Sequence, residues 1–170
     1  MHAWADDSQP LRLVQQTVAN ADPDRKALAC SGLLLPASNE VWRRFLDGRP
    51  VSAVTTVFLA WCGQELAARG KTALLLLWDN AAWHLSQAVQ TWIRQHNRQT
   101  KQTGQGVRLI VCPLPIKSPW LNPIEPRWVH TKRRVVEPTR LLPARELAAR
   151  VCDALGCTYH EHIPLPEKAA

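Results

Sequence analysis

The chain lacks the features of a membrane-bound or secreted protein. Its longest apolar run, Ala73 to Trp78, is far shorter than the ~20 residues that cross a bilayer. No signal peptide opens the sequence, because residues 1–10 are polar and carry two acids. The five cysteines are odd in number and irregularly spaced, which argues against a disulfide framework. These absences predict a soluble protein of a reducing, intracellular compartment.

Acidic residues are also scarce in one long stretch, and none occurs between Asp79 and Glu125. From Asp79 to Arg145 eleven basic residues face three acids, a net charge of +8 in a chain whose total is +7. A concentrated positive field suits a polyanion such as nucleic acid. A solvated basic surface is the alternative, and charge alone does not decide between them.

What is abundant is apolar sequence, 46% of the 170 residues, which is enough for one domain with a sizeable core. Its pattern predicts an α/β layered fold with a mixed sheet, over residues 1–160, followed by a flexible tail at 161–170 that frays from Ile163. The predicted elements are strands at Leu11–Ala19, Lys26–Leu35 and Glu40–Leu46, a helix from Val51 to Leu66, a strand at Thr72–Trp78 buried on both faces, a helix after Ser86, a polar loop at Arg98–Gly106, a strand at Val107–Cys112, a helix from Pro123 and a last helix at Glu146–Leu155.

Two carboxylates in the basic stretch are candidates for chemistry. Asp79 ends the most apolar strand, where α/β sheets bind ligands, although Asp-Asn is also a common turn. Glu125 follows Asn122 by three residues, a spacing that also fits a capping box. As a pair in positive surroundings, they suit a Mg²⁺ site for phosphodiester cleavage, because Mg²⁺ prefers carboxylates and phosphate oxygens.

The segments around these acids form two blocks. The first, Leu75 to His84, reads Asp-Asn-x-x-x-His after an apolar strand. The second, Ser118 to Trp128, reads Ser-Pro-x-Leu-Asn-Pro-Ile-Glu-x-x-Trp and leads into the basic run 132–134. In content and order both blocks resemble the signatures of the mariner-like transposases, and more closely their bacterial insertion-sequence branch. The resemblance covers roughly residues 26–136.

The resemblance implies a DDE catalytic domain with an RNase H-like mixed sheet flanked by helices, and three carboxylates that bind two Mg²⁺ or Mn²⁺ ions. It makes Asp79 the second catalytic acid and Glu125 the third. The first Asp belongs on a first strand, for which this sequence offers no counterpart, so we expect the sheet to lack that strand. The other aspartates considered lie in polar openings or turns or come too late in the fold: Asp6, Asp7, Asp22, Asp24 and Asp47.

Other residues receive supporting roles. Asn80, His84 and Asn122 stand beside the acids in the two blocks, where they support the carboxylates or act as ordinary structural residues. Contact with DNA phosphate is predicted, against a solvated face, for Lys117, Arg127, Lys132, Arg133 and Arg134. The expected partners are double-stranded DNA, at element ends and target, and a second copy of the chain. The expected location is the bacterial cytoplasm, at the nucleoid when DNA is bound.

Three functions remain as alternatives. The leading hypothesis is metal-dependent cleavage and strand transfer during transposition, with the fragment itself inactive because the first Asp is absent. The second is a non-catalytic DNA-binding remnant or regulator derived from a transposase. The third, a carboxylate-pair glycosidase, fits the basic field poorly. A zinc cluster of Cys152, Cys157, His160 and His162 is a further reading, although the spacing fits no common finger.

Overall fold

The computed structural model describes residues 2–4, 10–12, 28–46, 51–135 and 142–164, the first two segments as backbone alone. The described elements, in chain order, are β1 (His2–Trp4), β2 (Pro10–Arg12), β3 (Ala29–Leu35), β4 (Glu40–Leu46), α1 (Ser52–Ala68), β5 (Ala73–Trp78), α2 (Gln87–Thr103), β6 (Arg108–Pro113), a 3₁₀ turn (Pro119–Leu121), α3 (Glu125–Val135) and α4 (Ala144–Leu155).

These strands form three separate pairs. β1 pairs antiparallel with β2, β3 pairs antiparallel with β4, and β5 pairs parallel with β6. A parallel pair needs a long crossover connection, which α2 supplies. Antiparallel and parallel strands combined with helices confirm the predicted α/β class and are consistent with an RNase H-like fold.

The β3–β4 pair is packed on both faces. Phe45 lies with Val135 of α3 and with Ala148 and Val151 of α4 in one buried cluster. On the other face Leu46 packs with residues of α1. Alternation of side chains along β4 therefore buries both of its faces.

The β5–β6 pair differs from the sequence prediction of a strand buried on both faces. Leu74, Leu76 and Trp78 are buried against α1 and α2, but Leu75 is 59% exposed and Leu77 is 48% exposed. A continuous apolar run has no period, so the sequence could not distinguish one-sided from two-sided burial. Within the described residues, the second face of β5 remains open.

The prediction of a loop at Arg98–Gly106 is also wrong, because residues 98–103 continue α2. Gln, Arg and Lys are good helix formers on an exposed face, and no Gly or Pro interrupts them before Gly104. Gly104 ends the helix with φ +67°. The side chain of Asn97 bonds both the N–H (2.8 Å) and the carbonyl (2.7 Å) of Leu109, which ties α2 to β6. The long separation between Asp79 and Glu125 is therefore partly helix.

The ends of the chain differ from expectation as well. Residues 2–4, expected to be a polar opening, form β1. Of the strand predicted at Leu11–Ala19, residues 11–12 belong to β2, and the remainder lies outside the described residues, as do all the alternative aspartates. Ile163, assigned to a frayed tail, is 1% exposed and donates its N–H to the Phe45 carbonyl at 2.8 Å.

All five cysteines are free in this structure. No helix among the described residues has the length and apolar character that a bilayer crossing requires.

Candidate metal and DNA site

Asp79 directly follows β5, as the sequence predicts, and its carboxylate is held from one side. Its Oδ1 accepts the backbone N–H of Ala81 at 3.0 Å and the Nδ1–H of His84 at 2.8 Å. Its side chain is 46% exposed. Among the described residues, Oδ2 has no hydrogen-bond donor, so this oxygen is free to bind a ligand.

His84 and Asn80 hold the end of β5 in place. The His84 ring stacks on Trp78, with centroids 4.8 Å apart and planes 3° apart. Stacking and the bond to Asp79 together fix the imidazole on two sides. Asn80 donates to the carbonyl of Leu114 at 2.7 Å, while the N–H of Leu114 donates to Trp78 at 2.9 Å. Asn80 therefore joins the ends of β5 and β6 and does not point to Asp79.

Glu125 is the first residue of α3, two residues later than the predicted helix start at Pro123. Asn122 caps the turn before it, since its Oδ1 accepts the N–H of Ile124 at 3.4 Å. The capping-box alternative needs the Glu125 carboxylate to bond the backbone N–H of Asn122. No such bond forms within the described structure, and the half-buried carboxylate of Glu125 has no side-chain partner there.

One cavity of about 360 Å³ is lined by both acids. His84 and Asn122 also line it. Within the described part of the chain, Asp79 and Glu125 are the acids that line it. The sequence blocks, 46 positions apart between the acids, therefore face the same space.

The donor set suits a hard divalent cation. Two carboxylates with free oxygens are the ligands that Mg²⁺ and Mn²⁺ take, with water or phosphate in the remaining positions. The N-terminus of α3 partly offsets the charge of Glu125. No group of three His, Cys, Asp or Glu side chains able to hold a metal occurs in the described part of the chain. Asp79, His84 and Glu125 do not form such a group, so the described structure shows two carboxylates that line one cavity and no assembled metal site.

The basic residues predicted to contact DNA are distributed between a loop and α3. Lys132, Arg133 and Arg134 are exposed in the last turn of α3, whose first residue is Glu125. Lys117 is exposed in the loop before the 3₁₀ turn. Arg127 is half-buried and donates to the side chain of Asn39, so part of its bonding capacity serves the fold.

The zinc reading of the C-terminal cysteines and histidines has no support in the structure. Cys157 Sγ accepts the Nε–H of Arg43 at 3.0 Å. The ring of His160 packs on Trp61 at 5.1 Å, and that of His162 packs on Phe45 at 5.5 Å. These side chains are used for packing, and they are not among any group of three that could hold a metal within the described residues.

Sequence reasoning missed the tryptophans that support the site. Trp78 stacks on His84, and the ring of Trp128 lies so close to Gly32 that a Cβ there would be 2.5 Å from its Cζ2 atom. Gly32 thus lets the first turns of α3 approach β3. The signal was the high tryptophan count, eight in 170 residues, but count alone does not specify partners.

Comparison with known proteins gives one match. A family model described as DDE superfamily endonuclease matches residues 51–147, which include both acids of the cavity. No curated protein and no solved structure matches the chain. This family implies a nuclease-type enzyme with a DNA substrate, and its members generally use divalent metal ions. Because the match spans more than half of the 170 residues, the chain belongs to the DDE superfamily endonucleases.

Proposed function

We propose that the chain is part of the catalytic domain of a DNA transposase, of the mariner-like or bacterial insertion-sequence type, and that Asp79 and Glu125 are its metal ligands. The observation that carries this proposal is the shared cavity, in which both carboxylates keep oxygens free. Asp79 and Glu125 would hold divalent ions, whose chemistry there would be activation of an attacking oxygen and stabilisation of a leaving oxygen. The reaction would be cleavage at an element end, followed by attack of the freed 3′-hydroxyl on target DNA.

In this proposal His84 is a positioning residue. Its bond fixes Oδ1 of Asp79, and its ring is held by stacking on Trp78. The carboxylate therefore has little rotational freedom to lose when Oδ2 binds a ligand. Asn80 and Asn122 act indirectly: Asn80 fixes the end of β5, and Asn122 fixes the start of α3.

We further propose that this chain does not cut DNA at a useful rate. Among the described residues two acids line the cavity, whereas the family resemblance implies three carboxylates for two ions. The same deficit favours the second candidate function, a non-catalytic DNA-binding remnant. The two candidates differ in one measurable property, which is metal-dependent cleavage.

The first test measures metal binding directly, by titration of the full chain with Mn²⁺. We expect weak binding that is lost in Asp79→Asn and in Glu125→Gln. Asp153→Asn is the matched control, because Asp153 is exposed on α4 and does not line the cavity. Equal Mn²⁺ affinity in all four proteins would refute the assignment of the two ligands.

The second test measures cleavage of labelled duplex DNA with Mg²⁺ and Mn²⁺. We expect no metal-dependent product above that of Asp79→Ala. Cleavage by the wild type that disappears in Asp79→Ala would show that the site is complete. Asp47 would then become the first acid to examine by substitution.

The third test concerns DNA binding, for which the support is the basic end of α3. We expect weak binding with little sequence preference, and an affinity that falls steeply as salt increases because phosphate contacts release counterions. Substitution of Lys132, Arg133 and Arg134 by Ala should reduce the log–log salt slope by about 1 for each phosphate that is no longer neutralised. Lys71→Ala, at an exposed position in the connection between α1 and β5, is the control. An unchanged slope in the triple variant would exclude α3 from the interface.

A further inference from the structure

One tryptophan on the wall of the cavity is open to solvent. Trp83 lines the same cavity as Asp79 and Glu125, and it is 36% exposed. Two other tryptophans of the cavity wall are less accessible, since Trp78 is buried and Trp128 is half-buried. An indole in this position buries part of its apolar surface in the fold, and the rest is available to a ligand.

The position of Trp83 relative to Asp79 is set through His84. The rings of Trp83 and His84 lie nearly perpendicular, with planes 77° apart and centroids 5.9 Å apart. His84 in turn bonds Oδ1 of Asp79 at 2.8 Å. The backbone is fixed as well, because the hydroxyl of Ser86 donates to the Trp83 carbonyl at 3.1 Å and the N–H of His84 donates to the Ala81 carbonyl at 2.9 Å. Trp83 is therefore held in place beside the side chain that holds Asp79.

The charge around the cavity indicates the class of ligand that reaches this ring. The chain belongs to a family that implies a DNA substrate, and the sequence between Asp79 and Glu125 contains no acid. The α3 helix, which begins at Glu125, ends in three exposed basic residues. Such a field attracts phosphates, and exposed aromatic rings next to bound phosphates stack on nucleobases. A base inside a duplex is already stacked on both faces, so an unpaired nucleotide is the form that offers a face to Trp83.

We propose that Trp83 is a stacking platform for one nucleobase of an unpaired nucleotide, whose phosphate lies toward Asp79 and Glu125. The inference rests on the proposed function, because it takes DNA as the ligand of this cavity. Trp83 would add affinity and little discrimination among bases, since every nucleobase has a π-face. Its contribution would depend little on salt, unlike that of the phosphate contacts made by basic side chains.

The experiment compares two labelled single strands by fluorescence anisotropy with the full chain. One is a thymidine octanucleotide, and the other is the same octanucleotide without its bases. Both carry the same number of phosphates, so the ratio of their affinities isolates the contribution of the bases. EDTA is present, so the ratio does not depend on metal binding. The wild type should bind the strand with bases at least about tenfold more tightly than the strand without them.

Three variants locate this preference. Trp83→Ala should reduce the affinity ratio about tenfold and should leave the affinity for the strand without bases unchanged within about twofold. Trp83→Phe keeps an aromatic ring and should retain most of the ratio. Trp120→Ala is the matched control, because Trp120 also lies between the two acids in sequence and is 73% exposed, but does not line the cavity. It should change the ratio less than about twofold.

The results separate stacking from a merely structural role, in which the Trp83 ring only supports His84. Equal weakening of both strands in Trp83→Ala would indicate the structural role and overturn the proposal. An unchanged ratio in Trp83→Ala, an equal fall in Trp120→Ala, or no preference of the wild type for bases would also overturn it. Failure of the proposed function is observed separately, as Mn²⁺ binding that Asp79→Asn does not weaken. Trp83→Ala should keep the wild-type affinity for Mn²⁺, because an indole is not a ligand of that ion.

Discussion

The β3–β4 pair and the β5–β6 pair are both two-stranded, but they are covered differently. β4 buries residues on both faces, against α1 on one side and against α3 and α4 on the other. β5 buries one face against α1 and α2 and leaves Leu75 and Leu77 exposed on the other. Asp79, the candidate ligand, follows the less covered strand.

Because of this difference, the two strand pairs contribute unequally to stability and to the candidate site. The β3–β4 pair contributes mainly packing, since its large buried side chains contact three helices. The β5–β6 pair contributes the candidate ligand, since Asp79 directly follows β5. Substitutions that are alike in chemistry should therefore have unequal effects in the two pairs.

The largest expected contrast is between Phe45→Ala and Leu75→Ala. Phe45 is 1% exposed in the β4 cluster, so its truncation should lower the free energy of unfolding by about 3–5 kcal/mol. Leu75 is 59% exposed, and its truncation should change that free energy by less than about 0.5 kcal/mol. Urea unfolding measures both. Similar losses of unfolding free energy in the two variants would show that the second face of β5 is covered in solution. The two strand pairs would then not differ in coverage.

Arg43 offers a contrast within the well-packed pair. It is 1% exposed, its guanidinium lies 4.5 Å from the centre of the Phe45 ring, and its Nη1 and Nη2 have no hydrogen-bond partner in the described structure. A buried charge without an acid is costly, so Arg43→Met should raise the free energy of unfolding by about 1–3 kcal/mol. Arg43→Lys keeps the charge and serves as the control, with no gain expected. A loss of stability in Arg43→Met would indicate that Arg43 has a partner beyond the described residues.

Two glycines should respond to alanine with opposite signs. At Gly32 of β3 a Cβ would lie 2.5 Å from Trp128 and 3.3 Å from Ile124, so Gly32→Ala should cost about 1–3 kcal/mol of stability. At Gly63 of α1 a Cβ would meet nothing within 4 Å, so Gly63→Ala should add about 0.5–1 kcal/mol. Thermal unfolding of the two variants gives the comparison. If Gly32→Ala left the stability unchanged, the Trp128 ring would have to shift at little cost, and α3 would not be fixed against β3.

The sequence predicted the candidate site better than the sheet around it. Asp79 lies at the end of β5, and Ser86 caps α2 through a bond to the Val89 N–H at 3.3 Å, because apolar runs and capping residues act locally. That Asp79 and Glu125 line one cavity is a tertiary property, which the pairing of two carboxylates at element ends in a basic stretch suggested and the family resemblance supported. The stacking of His84 on Trp78 was not predicted, because a contact between two rings produces no periodic pattern in the sequence.

The sequence failed where coverage by distant segments decides the outcome. The apolar run of β5 gave no indication that Leu75 would be exposed, since exposure depends on what packs against the strand. Residues 98–103 were polar because α2 projects them into water, and polarity was mistaken for a loop. Ile163 is buried because it packs with Leu46 and with Val54 and Phe58 of α1, which are distant in sequence.

The smallest expected effect concerns Cys30, which lies on β3 in the well-packed pair. Burial raises the pKa of Cys30 to about 11, against an opposing influence of Arg43 and Lys132. The unfolded thiol ionises near pH 9, so the stabilisation from keeping the thiol neutral is complete below pH 9 and is lost as the pH rises toward 11. At pH 10 the loss of unfolding free energy should be about 1 kcal/mol.

The measurement compares urea unfolding of the wild type and Cys30→Ala from pH 8 to 11. Burial also raises the pKa of Cys62, but that residue is present in both proteins and its contribution cancels. The stability difference between the two proteins should therefore shrink with rising pH. A difference that stays constant would show that water reaches Cys30, and that the β3–β4 pair is no better covered at this end than β5 is.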